Sequence, residues 1–240
     1  MLLLMATLAA PQAATTPRHP FDLSPKVAIR RTMEQAAPAV HAGTIWAQTS
    51  TVSASAGSEL AGVAAKHGLV YVDAPVQGSR QPAEQAQLVI IAAGPVDGRR
   101  SLETAFADIS RRTFWFSDDA SSGAASRVKL AFNHHVFGIT HTAAEALALA
   151  QKLDADPAFV VTGGPVHNPF FEAKSRAMLE GDFTPSFSVS NAAKDARLIA
   201  DAGRAAGMHA DLADASVHRF ERAIAVGHGD KDTATSLLAS

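Results

Sequence analysis

Lys129 and Asn133 stand four residues apart in a stretch that reads as one long helix, so both side chains leave the same face one turn apart. A lysine can hand a proton to an oxygen that is gaining charge, and an amide one turn away can hold that lysine or the reacting molecule. The pair suits one small substrate. It suits proton transfer best where burial and neighbouring positive charge disfavour the ammonium form. Spacing alone leaves a plainer reading open, a solvated helix lysine beside an unrelated asparagine. The segment Asp73-Ala-Pro-Val-Gln-Gly-Ser79 follows an apolar run, and its proline and glycine force a turn whose backbone N–H groups can hold a carboxylate. An ordinary strand-to-helix connection is the alternative there. Ser50-Thr51 closes another short apolar run, at the edge where doubly wound sheets bind ligands. Lys194-Asp195 lies in a later helical segment, where such a pair is by itself usually a solvated surface.

The elements that must position these residues fall into two kinds. Residues 43–48, 69–72, 88–93 and 113–116 read as strands, and 55–67 and 97–109 as helices, which is the alternation of an α/β layered domain. After residue 123 the pattern turns helical: one helix over about 124–153, a loop over 157–170, and helices near 170–180, 190–206, 210–226 and 231–239. The run Met1 to Ala10 is apolar but has no basic start, so it reads as a buried strand rather than a secretion signal, with a long proline-rich loop after it.

Composition narrows the chemistry. With 240 residues, 47% of them hydrophobic, the chain can bury a sizeable core, and its apolar runs are too short to span a bilayer. The 21 basic and 23 acidic residues are interspersed at a net charge of −2, which offers no positive field for nucleic acid. The absence of cysteine excludes disulfides and thiolate nucleophiles and suits a reducing, cytoplasmic setting. The adjacent pair His134-His135 points to different sides of a helix, unlike the i, i+4 pairs that chelate zinc, and no metal site is expected. No G-x-S-x-G elbow and no second carboxylate at a recognisable spacing support a hydrolase.

Four segments in order, 48–53, 73–84, 123–133 and 170–195, resemble the β-hydroxyacid dehydrogenase family, in particular its glyoxylate and succinic semialdehyde reductase branch. The resemblance implies a Rossmann-type dinucleotide-binding α/β domain, here residues 1–121, joined by a long helix to an all-helical domain, residues 122–240. It also implies a homodimer, NADP or NAD as cofactor, and a small carboxylic acid (an aldehyde acid or 2-oxo acid and its hydroxy acid) as substrate. It makes Lys129 the proton donor, with Asn133 hydrogen-bonding the lysine or the substrate. Gln77 replaces the family's usual serine, leaving Gly78 and Ser79 as matched anchors for the substrate. Phe187 and Asp195 belong with the substrate, and Ser50, Thr51 and Lys194 with the cofactor.

The departure is at the start. The family opens with a strand, a G-x-G-x-x-G turn and a helix, because only glycine lets the backbone approach a pyrophosphate at a helix N-terminus. No such motif occurs in the 240 residues, and Met5-Ala6 stands about where the family has a Leu-Pro pair. The first βαβ part of the dinucleotide domain is therefore expected to be missing, which predicts weak cofactor binding and negligible nicotinamide-dependent turnover by the chain as it stands. Two rivals follow: a catalytically impaired remnant acting as a dimerising structural or binding module, and an imine reductase-like enzyme, against which Lys129 argues.

Overall fold

The computed structural model describes residues 2–5, 25–162 and 166–240. The proline-rich stretch before residue 25 and the segment Gly163-Gly-Pro165 lie outside the described residues. The chain divides into two compact units, one ending at Leu130 and the other beginning at Ala131, and the division falls inside a single helix.

The first unit is a sheet covered on both faces. Strands β1 (Leu2–Met5), β2 (Ile45–Gln48) and β3 (Val70–Asp73) run parallel in that order. Alternation along β2 and β3 divides the core in two. Trp46 and Tyr71 face one side, edge-on to each other at 5.1 Å, and pack with Ile29 and Met33 of α1 (Pro25–Ala36) and Leu60 and Ala64 of α2 (Ala56–Lys66). Ala47 and Val72 face the other, against Leu102 and Phe106 of α4 (Val96–Ile109). The α1 helix stands where the sequence offers a proline-rich loop. Its apolar stripe is only Ile29 and Met33, four apart, which is too sparse to register as a period although both are buried.

The sheet is not wholly parallel. Strand β5 (Leu88–Ala93) runs antiparallel to both β3 and the two-residue β4 (Val76–Gln77), with Asp73 opposite Ala93 and Gln77 opposite Val89. A parallel return needs a crossover of a dozen or more residues, and between Gln77 and Leu88 there is room only for the five-residue α3 (Arg80–Glu84). Strand β6 (Ser110–Ser117), longer than the sequence suggests, then pairs parallel with β5.

The second unit is helical. Helix α5 (Ala124–Lys152) is continuous across the unit boundary, followed by α6 (Pro157–Thr162), α7 (Pro169–Glu180), α8 (Val189–Ala205), α9 (Asp211–Ala225) and a 3₁₀ segment Thr233–Ala239. Its core joins Ala143, Ala144 and Leu147 of α5 to Val161, Met178 and Ala234. Helix α6 occupies part of the expected loop: Pro157 sits at its first position and the Asp156 carboxylate accepts the Ala158 N–H at 2.9 Å, a start signal that its short length conceals. No helix among the described residues is long and apolar enough to cross a membrane.

Candidate active site

Helix α5 begins after Gly123, whose φ of +68° admits few residues besides glycine, and a Cβ there would lie 2.3 Å from the Ala54 carbonyl oxygen. Its third residue is held from a distance. One oxygen of Asp73, at the end of β3, accepts the Ser126 backbone N–H at 3.2 Å and the Ser126 hydroxyl at 2.8 Å. Asp73 thus caps a helix 53 residues further along the chain. Its other oxygen is buried without a hydrogen-bond partner among the described residues. Burial lifts the Asp73 carboxyl from 3.8 to about 6, against the downward pull of the two Ser126 hydrogen bonds.

Lys129, one turn past Ser126, is 8% exposed, so it is not the solvated helix lysine that spacing alone allowed. Helix α5 is unbroken to Asn133, 3% exposed, and the two share a face as expected.

The loop after β2 is folded by Gln48. Its side-chain oxygen accepts the Ser50 N–H at 2.5 Å while its amide donates to the Ser50 carbonyl at 3.0 Å, a closed ring that fixes Ser50 and Thr51, both half-buried, at the C-terminal edge of the parallel strands. Gln77 takes part in the β4–β5 ladder, Gly78 follows at φ +113°, and Ser79 leads into α3. A Cβ on Gly78 would lie 2.9 Å from a Leu88 methyl and 3.0 Å from Pro82, so this turn is closed to larger residues.

In the helical unit, Asp195 of α8 is 2% exposed and joins two residues: Asn133 donates its amide to one carboxylate oxygen at 2.8 Å, and the Lys194 ammonium lies 2.7 Å from the other. Phe187 stacks on Phe137 at 6.0 Å, and Phe137 in turn meets Phe220 edge-on at 5.1 Å. The Phe187 backbone is fastened to Asp232: its N–H donates to that carboxylate at 3.2 Å, and its carbonyl accepts the Thr233 N–H at 3.0 Å. Asp232 also holds the Lys174 ammonium at 2.5 Å and accepts the Ser186 N–H and hydroxyl.

Gln48, Asp73, Ser126, Lys174 and Asp232 hold the neighbours of the expected site residues, and none was assigned a role from sequence. All but Asp232 sit inside the four segments that carry the resemblance. The signal that would have found Asp73 is an acidic residue ending an otherwise apolar buried strand, which must find a partner. Ser126 carries no such signal, since its partner is remote.

Two family models match in tandem. Residues 23–117 match the NAD binding domain of 6-phosphogluconate dehydrogenase, and residues 123–239 match the NAD-binding segment of NADP-dependent 3-hydroxyisobutyrate dehydrogenase. The chain is 30% identical over 165 residues to glyoxylate/succinic semialdehyde reductase 1 of Arabidopsis thaliana, covering 68% of this chain and 56% of that protein. It is 29% identical over 201 residues to L-threonate dehydrogenase of Cupriavidus necator, covering 82% of this chain and 67% of that one. The crystal structure of 3-hydroxyisobutyrate dehydrogenase from Salmonella typhimurium superposes with a TM-score of 0.82 at 26% identity, over 90% of this chain and 76% of that chain.

Proposed function

The chain belongs to the β-hydroxyacid dehydrogenase family, and we propose that within it Lys129 is the proton donor in the reduction of a small aldehyde or 2-oxo acid to its hydroxy acid. The observation that carries this is the burial of Lys129 on an unbroken helix one turn from Asn133. A carbonyl oxygen that accepts a hydride must take up a proton at the same time, and Lys129 is a buried proton carrier one turn from Asn133. Lys129 supplies that proton and water later restores it. Asn133, its amide oriented by Asp195, fixes the substrate. Gly78 and Ser79 offer the substrate carboxylate backbone and hydroxyl groups, with Gln77 beside them in place of a smaller residue.

A nicotinamide cofactor, when bound, supplies the hydride. The residues present fit its nicotinamide end, because the Gln48 ring holds the Ser50-Thr51 loop at the C-terminal edge of parallel strands, the edge at which such sheets bind dinucleotides. We assign Ser50, Thr51 and Lys194 to it. Glyoxylate and succinic semialdehyde, named in the Arabidopsis relative, are the substrates to try first. We further propose a homodimer formed through the helical unit, where Leu149, Leu153 and Phe159 are 59%, 68% and 74% exposed.

The test is turnover of those two acids with NADPH or NADH by a version extended with the family's G-x-G-x-x-G strand, turn and helix and by the Lys129→Ala variant of that version, because negligible turnover is expected without that segment. We expect the variant to lose about 10²–10⁴ in kcat with little change in cofactor affinity. Equal turnover by the two proteins removes Lys129 from the mechanism.

A further inference from the structure

Between α4 and β6, on the face of the first unit opposite α1 and α2, a cleft of about 530 Å³ is lined by Arg99, Arg100, Arg111 and Arg112, with Glu103 as its one acidic residue and Trp115 in its wall. We propose that this cleft binds a small molecule carrying two or more phosphoryl groups, independently of the residues assigned above to substrate and cofactor.

Three observations support it. None of the four arginines is within ion-pair distance of a carboxylate among the described residues, a condition they share with Arg31, Arg127 and Arg222, whereas Arg30, Arg80, Arg176, Arg197, Arg204 and Arg219 all are paired. The net charge of −2 conceals this local excess of four cations over one anion. Secondly, one of the four lies against the aromatic wall of the cleft. The Arg99 guanidinium is 5.5 Å from the Trp115 ring centre, and Trp115 itself stacks on the buried Phe106 at 6.3 Å. A guanidinium over a ring keeps N–H groups for paired hydrogen bonds with a phosphoryl group. Thirdly, the volume exceeds what one inorganic anion fills and lies in the range of small-molecule sites.

The competing explanation is that charge guards an edge strand against pairing with other chains. It accounts for Arg111 and Arg112 on β6. It leaves Arg99 and Arg100 unexplained, since they come from α4 and converge on the same space.

Titration calorimetry with inorganic pyrophosphate at low ionic strength tests the assignment, with the chain compared to Arg99→Ser, Arg111→Ser, the double variant, and Arg31→Ser. Arg31 is exposed on α1 and carries the same charge away from the cleft. All three positions are on the surface, and far-UV circular dichroism checks that each variant is folded. We expect saturable binding by the wild type, a loss of about ten- to a hundredfold in each single cleft variant, and no change in Arg31→Ser. Absence of saturable binding up to about 1 mM pyrophosphate, or equal weakening by Arg31→Ser, overturns the proposal.

Discussion

Asp73 is pulled in opposite directions. It caps the N-terminus of α5, where the helix dipole and the Ser126 hydrogen bonds favour a carboxylate, and it is fully buried, which favours the neutral acid. Burial wins, and the carboxyl rises from 3.8 to about 6. An acid that holds its proton more tightly in the folded chain adds stability that is complete below its unfolded value and is lost as pH rises through its folded value. The rise is worth about 3 kcal/mol, most of it lost between pH 4 and pH 7. Asp73→Asn keeps an oxygen for Ser126 and cannot ionise, so it removes this term alone. Tyr71, the neighbouring phenol, is pushed upward by burial and then by Asp73, and stays neutral throughout that window. Denaturant unfolding of both proteins at pH 4.5 and 7.5 should show the wild type losing about 2 kcal/mol relative to the variant, with every other titration cancelling in the difference. A gap that stays constant, or a wild type that gains on the variant as pH rises, would mean that the helix terminus outweighs burial and would refute the reasoning.

Asp232 should behave with the opposite sign. Burial raises its carboxyl, but Lys174 and the surrounding donors outweigh that and leave it below its ordinary value, so its contribution is present above pH 4 and fades in acid. Asp232→Ala strands the buried Lys174 and should cost about 3–5 kcal/mol, read by thermal unfolding at neutral pH; a loss under about 1 kcal/mol would contradict this. Gly123→Ala and Gly181→Ala start from the same φ of +68°, but only the first drives a Cβ into backbone. The Gly181 variant should lose about 1 kcal/mol and the Gly123 variant at least about 2 kcal/mol more, and equal melting temperatures would disprove the clash.

The layered α/β unit and the long helix were legible because each rests on a strong local period, and the shared face of Lys129 and Asn133 follows from their spacing, whereas their burial does not and their assignment to a site rests on the family resemblance. What stayed hidden depends on distant partners. Antiparallel β5 follows from the short reach between Gln77 and Leu88, a distance that the apolar pattern of the strand does not contain. The α1 helix needs only Ile29 and Met33 to be anchored, too few for a sequence period. The cleft arginines were averaged away in a balanced charge count, since Arg99-Arg100 and Arg111-Arg112 are adjacent only once α4 folds back along β6.

Ser126, Lys129 and Asn133 fall at i, i+3 and i+7, one stripe of α5, and the first and last are each hydrogen-bonded to a buried aspartate, Asp73 and Asp195. Lys129 shares its helix face with two residues that buried aspartates hold. Asp195 has two tasks that substitution separates. In Asp195→Asn the side chain keeps an oxygen for the Asn133 amide but loses the charge that faces Lys194, while Asp195→Ala loses both. If Asn133 is fixed through Asp195 and serves the substrate, then in the version extended with the G-x-G-x-x-G segment Asp195→Asn should mainly raise the KM for cofactor, and only Asp195→Ala should also lower kcat, by about tenfold, a hydrogen bond's worth. Identical kinetics in the two variants would mean that Asp195 acts through Lys194 alone and that Asn133 needs no orientation from it.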